Sequence, residues 1–138
     1  MFFLDTNILV DFLRGRLQPG YEALQHSNPT LFKVPALVKA ELLLGAQKSR
    51  DPVGNRACVE RLLAPYSVVP FDAACSYAYA RIRAQLEEQG CIIGPNDLVI
   101  AATVHANNGI LVTNNAGEFE RVEGLAVETW EEVALAVG

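Results

Sequence analysis

The sequence predicts an α/β fold in which helices cover a mostly parallel sheet. Short apolar runs of strand length alternate with helical stretches along the chain. Gly, Pro, Asn and Asp punctuate the boundaries where turns and caps need them. Polar residues collect directly after the strand candidates, and open parallel sheets bind ligands outside the carboxyl ends of their strands.

Each element has its own signal. Phe2-Phe3-Leu4 is an apolar run ending in Asp5, the pattern of a buried first strand. A helix begins at Asp5-Thr6-Asn7, with Ile8, Leu9, Phe12 and Leu13 on one side, and Gly15 and Pro19-Gly20 end it. Tyr21 to Gln25 is a second helical piece, stopping near Asn28-Pro29, and Leu31 to Val34 is the next strand. Pro35 suits the first turn of a helix that runs from Ala36 to Lys48. Another helix starts at Asp51-Pro52 and closes at Ala64-Pro65, followed by a short Val68-Val69 strand. Asp72 caps a long helix through Gln89, and Gly90 is its stop. Gly94-Pro95-Asn96-Asp97 opens an apolar helix, Leu98 to Ala106, and Asn107-Asn108-Gly109 turns the chain into the strand Ile110 to Val112. Leu125 to Val127 is the last strand, and Thr129 caps a C-terminal helix.

Composition narrows the functional classes. With 138 residues, 51% hydrophobic and 20% charged, the chain suits one domain, residues 1–138, with a core of its own. No apolar run reaches a membrane-spanning length, and Met1 to Asp5 lacks the basic start of a signal peptide. The three cysteines, Cys58, Cys75 and Cys91, form no C-x-x-C pair, which argues against a disulfide framework or a zinc site and fits a reducing cytoplasm. The net charge of −5 hides an asymmetry. Residues 1–83 carry ten of the eleven Lys and Arg against seven acids, and residues 84–138 carry only Arg121 against nine acids. An acidic protein built this way can still meet phosphates locally, through Lys39, Lys48, Arg50, Arg56 and Arg61, although the same residues also suit a solvated helix face.

Three acids stand in apolar surroundings. Asp5 follows three apolar residues, Glu41 interrupts the helical stretch Val38 to Leu44, and Asp97 opens a helix that is apolar almost all round. Singly, Asp5 and Asp97 are explained as helix N-terminal acids, and Glu41 as one on an exposed face. Together, converging on one end of a sheet beside Thr113-Asn114-Asn115, they repel each other, and a divalent cation such as Mg²⁺ or Mn²⁺ resolves that conflict.

Four segments then carry a family resemblance. Leu4-Asp5-Thr6-Asn7-Ile8-Leu9, Ala40-Glu41-Leu42-Leu43-Leu44-Gly45-Ala46, Ile93 to Ala102 around Asp97, and Leu111 to Val122 around Thr113-Asn114-Asn115 resemble, in order and spacing, the motifs of PIN-domain ribonucleases. Gly124-Leu125 and Glu128-Thr129-Trp130 also fit. The branch resembled is the VapC toxins of type II toxin–antitoxin pairs.

The resemblance implies a three-layer α/β/α PIN domain around a central, mostly parallel sheet of about five strands. It implies a metal-dependent endoribonuclease that hydrolyses phosphodiesters in tRNA or rRNA loops and leaves 5′-phosphate and 3′-hydroxyl ends. Asp5 and Asp97 would hold the principal Mg²⁺ or Mn²⁺, and Glu41 would hold or orient the attacking water. Many members carry Asp where this chain has Asn115, so Glu118, three residues on, is the candidate fourth acid. Thr6, Asn7, Thr113 and Asn115 form the supporting polar shell, and Lys39, Lys48, Arg50 and Arg56 contact RNA phosphates. No histidine is required as base, so His26 and His105 are ordinary residues. The implied partners are RNA, a second copy of the chain in a homodimer, and a VapB-type antitoxin whose C-terminal segment lies over the site; the sequence leaves open whether toxin and antitoxin assemble beyond the dimer.

Two other readings remain. A non-catalytic nucleic-acid- or antitoxin-binding module of the same fold would keep the shape and lose the chemistry, and Asn115 keeps that reading open. A haloacid-dehalogenase-like phosphotransferase also places an Asp after strand one, but needs a second Asp where this chain has Asn7.

Overall fold

Phe2–Leu4 forms the centre strand β1, and everything else is arranged about it. The computed structural model describes residues 1–16 and 20–137. The remaining strands are β2 (Phe32–Pro35), β3 (Ser67–Val69), β4 (Ile110–Val112) and β5 (Ala126–Glu128). They form one sheet in the order β3-β2-β1-β4-β5, with every pair parallel. The helices are α1 (Thr6–Leu13), α2 (Tyr21–His26), α3 (Ala36–Gln47), α4 (Pro52–Leu63), α5 (Ala73–Gln89), α6 (Pro95–Ala106), α7 (Ala116–Phe119) and α8 (Trp130–Val137). Right-handed crossovers require the helices that step from β1 to β3 to cover one face, and those that step back through β4 to β5 to cover the other. The packing follows: α3 lies on α1 and α4, and α5 lies on α6. The result is a three-layer α/β/α sandwich.

The local chemistry explains the boundaries. The Asp72 carboxylate accepts the Cys75 amide at 3.2 Å and starts α5, while Gly90, at φ +68°, ends it in the left-handed conformation that glycine adopts without strain. The Asp51 carboxylate accepts the Gly54 amide at 3.0 Å at the start of α4. The Thr129 hydroxyl accepts the Glu132 amide, and the Glu132 side chain accepts the Thr129 amide, a reciprocal cap on α8.

Some boundaries differ from the sequence expectation. Pro35 is the last residue of β2 and the N-cap of α3, because its carbonyl side still pairs with Val69 of β3. Leu31 closes a single 3₁₀ turn over Pro29–Leu31, so β2 starts one residue later, at the buried Phe32. The last strand is likewise shifted by one residue, from Leu125–Val127 to Ala126–Glu128, since Val112 of β4 pairs with Glu128. The four-residue α7 was not expected. Pro19, expected with Gly20 to end α1, lies outside the described residues.

The core is continuous across the sheet. Leu4, Ile8, Leu9, Val34, Val38, Ile100, Ala101, Ala102, Val104, Leu111 and Val112 are fully buried. Trp130, at the start of α8, packs edge-on against Phe12 with ring centres 4.8 Å apart and also lies beside Phe32. No helix among the described residues is long and apolar enough to cross a membrane.

One tight contact joins α6 to the floor of the sheet. A Cβ on Gly109 would stand 2.3 Å from the ring of Phe3, which is itself buried. Gly109→Ala therefore forces Phe3 or the turn to move, and is expected to destabilise the fold by about 1–3 kcal/mol. Chemical denaturation checks this, and an unchanged midpoint would show that the turn yields freely.

Candidate active site

The strand order reverses between β1 and β4, and a cleft opens there at their carboxyl ends. Leu4 pairs with Val112, so the next residues, Asp5 and Thr113, stand level on the two adjacent strands. The Asp5 amide donates to the Val112 carbonyl at 3.0 Å, continuing the ladder by one step. The Thr113 hydroxyl donates to Asp5 Oδ2 at 2.7 Å, and the Thr6 amide donates to Oδ1 at 2.8 Å. Both carboxylate oxygens are thus held, and Asp5 is only 4% exposed. Burial pushes the Asp5 carboxyl up, the Thr113 and Thr6 bonds pull it back, and the Glu41 and Glu118 charges add to the rise.

The other acids arrive from three elements. Glu41, partly buried in the middle of α3, accepts the Thr6 hydroxyl at 2.7 Å, which ties α3 to the first residue of α1. Asp97 sits in the first turn of α6, where the helix dipole favours an acid. Its carboxyl is nevertheless pushed up to about 6, first by burial, then by the charges of Asp5, Glu118 and Glu41. Glu118, on α7, lies within hydrogen-bonding reach of protonated Asp97, and its other neighbour is the Asn115 side-chain amide, which donates to it.

A polar shell runs outward from Thr113. Its hydroxyl also accepts the Asn115 amide at 3.0 Å, and Asn7 Oδ1 accepts the Asn114 amide at 3.2 Å. The Asn114 side chain donates to Asp11 at 2.7 Å. The cleft, about 380 Å³, is lined by Asp5, Thr6, Asn7, Val10, Asp11, Glu41, Asp97 and Asn115. The structure therefore brings Asp5, Glu41, Asp97 and Glu118 together, along with all four expected shell residues. Asp11 and Asn114 were missed as site residues. Asp11 lies one helical turn beyond Asn7, a spacing that places both on one face of α1.

The expected RNA-binding cations are elsewhere. Lys39 is partly buried on α3, Lys48 and Arg50 are exposed at and beyond its end, and Arg56 pairs with Glu60 at 2.9 Å on α4. None of the four lines the cleft. Arg14 does line a neighbouring groove of about 350 Å³ with Leu13, Leu42, Cys58 and Val59, and that groove meets the cleft at Val10 and Glu41.

The donor set suits a hard divalent cation. The cleft offers carboxylates, hydroxyls and amides, with no Cys or His in its lining. The ion pairs among the described residues, Arg56–Glu60 and Arg83–Glu87, neutralise none of the four acids. No three His, Cys, Asp or Glu side chains among the described residues close into a metal-binding cluster by themselves. Mg²⁺ does not require one, because it binds through one or two carboxylates, keeps several waters and takes phosphate oxygens from its substrate.

Comparison with known proteins agrees with this geometry. The PIN domain family profile matches residues 2–125. The chain is 36% identical over 133 residues to "Ribonuclease VapC2" of Rickettsia felis, covering 95% of this chain and 98% of that protein. It is 36% identical over 129 residues to "tRNA(fMet)-specific endonuclease VapC" of Shigella flexneri, covering 94% and 97%. Among solved structures, VapBC2 from Rickettsia felis, bound to a DNA fragment from its promoter, superposes with a TM-score of 0.87 at 35% identity, covering 94% of this chain and 98% of that one.

Two expected outcomes test the electrostatics. Without metal, native Asp97 keeps its proton up to about pH 6 while the unfolded chain releases it near 3.8, so stability falls as pH rises between those values. Asp97→Asn removes that penalty and raises metal-free stability at pH 7.5 by about 1 kcal/mol after allowance for partial exposure, with the gain vanishing near pH 4. Thermal melts in EDTA across that range decide it, and a less stable variant at pH 7.5 would refute the buried repulsion. Thr113→Val leaves a buried Asp5 oxygen without its donor and is expected to cost about 2 kcal/mol, with Thr113→Ser restoring most of it.

Proposed function

The chain belongs to the PIN domain family, and from that premise we propose that it is a divalent-metal-dependent endoribonuclease, the toxin partner of a VapB-type antitoxin. The observation that carries this reading is the cleft at which Asp5, Glu41, Asp97 and Glu118 meet, with none of them in an ion pair among the described residues. The relatives named ribonuclease and tRNA endonuclease cover nearly the whole chain, which supports RNA, and tRNA in particular, as the substrate class.

Asp5 and Asp97 are the residues that would hold Mg²⁺ or Mn²⁺. A divalent ion held there would supply the activation of a water and the stabilisation of charge on the phosphodiester. The chain's own groups do the positioning. Thr113 and Thr6 fix both oxygens of Asp5, so the carboxylate meets its ligand without rearranging. Thr6 holds Glu41 by one oxygen, leaving the other to orient the attacking water toward phosphorus. Glu118, steadied by Asn115, stands beside Asp97 and completes the negative wall. The displaced 3′-oxygen leaves with a proton from solvent, giving 5′-phosphate and 3′-hydroxyl ends.

Partners follow from the adjoining groove. Its apolar walls, Val10, Leu13, Leu42 and Val59, suit a segment of the antitoxin, and a basic side chain reaching from it to Glu41 would enter the acidic cleft. The solved VapBC complexes similar to this chain support such a partner. A homodimer, phosphate contacts away from the cleft by the exposed Lys48 and Arg50, and a reducing cytoplasm for the three free cysteines complete the reading.

The deciding experiment is cleavage of total bacterial RNA by the purified chain with Mg²⁺ or Mn²⁺, with 5′ ends mapped by sequencing. Discrete cuts are expected, abolished by EDTA and reduced at least a hundredfold by Asp97→Asn. A folded chain that binds Mn²⁺ and leaves every RNA intact would overturn this reading in favour of a non-catalytic binding module.

A further inference from the structure

Glu118 stands on the shortest helix of the cleft, the single turn α7, while Asp97 stands on the deeply buried α6. A one-turn helix has almost no hydrogen bonds of its own to resist displacement. Phe119 and Val122 anchor it from below by burial, and Asn115 holds it at its start. Its far end is held from α5. The Gln85 side-chain amide donates to the Arg121 carbonyl at 2.8 Å, and its oxygen accepts the Glu123 amide at 3.1 Å. One carboxamide therefore grips the backbone on both sides of Val122. Gln89, one turn on, accepts from Gln85 at 3.0 Å and donates to the Glu123 carboxylate at 3.0 Å. Helix α5 is also the helix packed along α6. The same helix thus carries the support of Asp97 and the grip on the segment that carries Glu118.

We propose that Gln85, assisted by Gln89, is a positioning residue for the reaction: it sets the place of Glu118 relative to Asp97 by clamping residues 121–123 to α5. The proposal rests on the nuclease reading above. Gln85 touches no reacting atom and acts through α7. Glutamine suits the task because its amide donates through two N–H groups and accepts through its oxygen, at the end of a chain long enough to reach a neighbouring backbone.

The test uses Gln85→Met, which keeps length and packing and loses both bonds, and the milder Gln85→Glu, which keeps an acceptor for the Glu123 amide and loses the donor. Each is assayed on a fluorescent RNA oligonucleotide carrying a cut mapped with the parent protein, and amide hydrogen exchange is followed in parallel. Gln85→Met is expected to lower kcat about tenfold with KM within twofold, and to speed exchange over residues 116–123 but not in β1 or α6. The same substitution in a Glu118→Gln background should lower the rate no further, because the effect runs through Glu118. Additive losses, or an unchanged kcat alongside faster exchange, would overturn the proposal. If Gln85→Met fails to fold, Gln85→Glu must show the same non-additivity for the proposal to stand. A parent protein that cuts no RNA would instead sink the nuclease reading itself.

Discussion

The 2.7 Å hydrogen bond from Thr113 to Asp5 is the contact on which the cleft depends. It spans the two strands between which the chain order reverses, and joins residues 108 apart in sequence. Asp5 is buried, and a buried carboxylate without donors costs several kcal/mol. Thr113 meets that need from one side and Thr6 from the other. The same two threonines then reach outward: Thr6 donates to Glu41, and Thr113 accepts from the segment leading to Glu118. A single solvation requirement at the centre of the sheet therefore fixes the bearings of three of the four acids.

The fourth acid shows what this arrangement costs. Asp97 is placed at a helix N-terminus, where a carboxylate is normally favoured, and is still raised to about 6 by burial and by its three acidic neighbours. The electrostatics of the cleft outweigh those of the helix end. Such a site is a poor structural feature and a good receptor for positive charge, whether a hard cation or a basic side chain. The ion pairs among the described residues leave all four acids unneutralised.

Much of this was legible in the sequence, and the reasons are physical. Asp72 and Gly90 bound α5 because capping and the left-handed stop are local chemistry. Asp5 and Thr113 were placed together because both follow strands, and parallel strands end on one edge. Glu41 was not placed by its neighbours, whose apolar pattern left its face open, but by the order of the four motifs. What was not legible depends on pairing between distant segments. The one-residue shifts of β2 and β5 are set by their partners, and the single turn α7 is too short to show a period. Asp11 and Asn114 meet only because the second turn of α1 lies beside the loop after β4. The grip of Gln85 on residues 121–123 is hidden for the same reason, since glutamine on a helix reads as solvated surface.

Helix α6 is pinned at its lower end by the close approach of Gly109 to Phe3 and carries Asp97 at its upper end. Its 12 residues make it a lever arm about 18 Å long. Tilting such an arm by about 3° at its base sweeps its tip through about 1 Å, a displacement large enough to cost about a hundredfold in rate at a reacting centre. A displacement at the floor of the sheet would therefore be carried along α6 to Asp97.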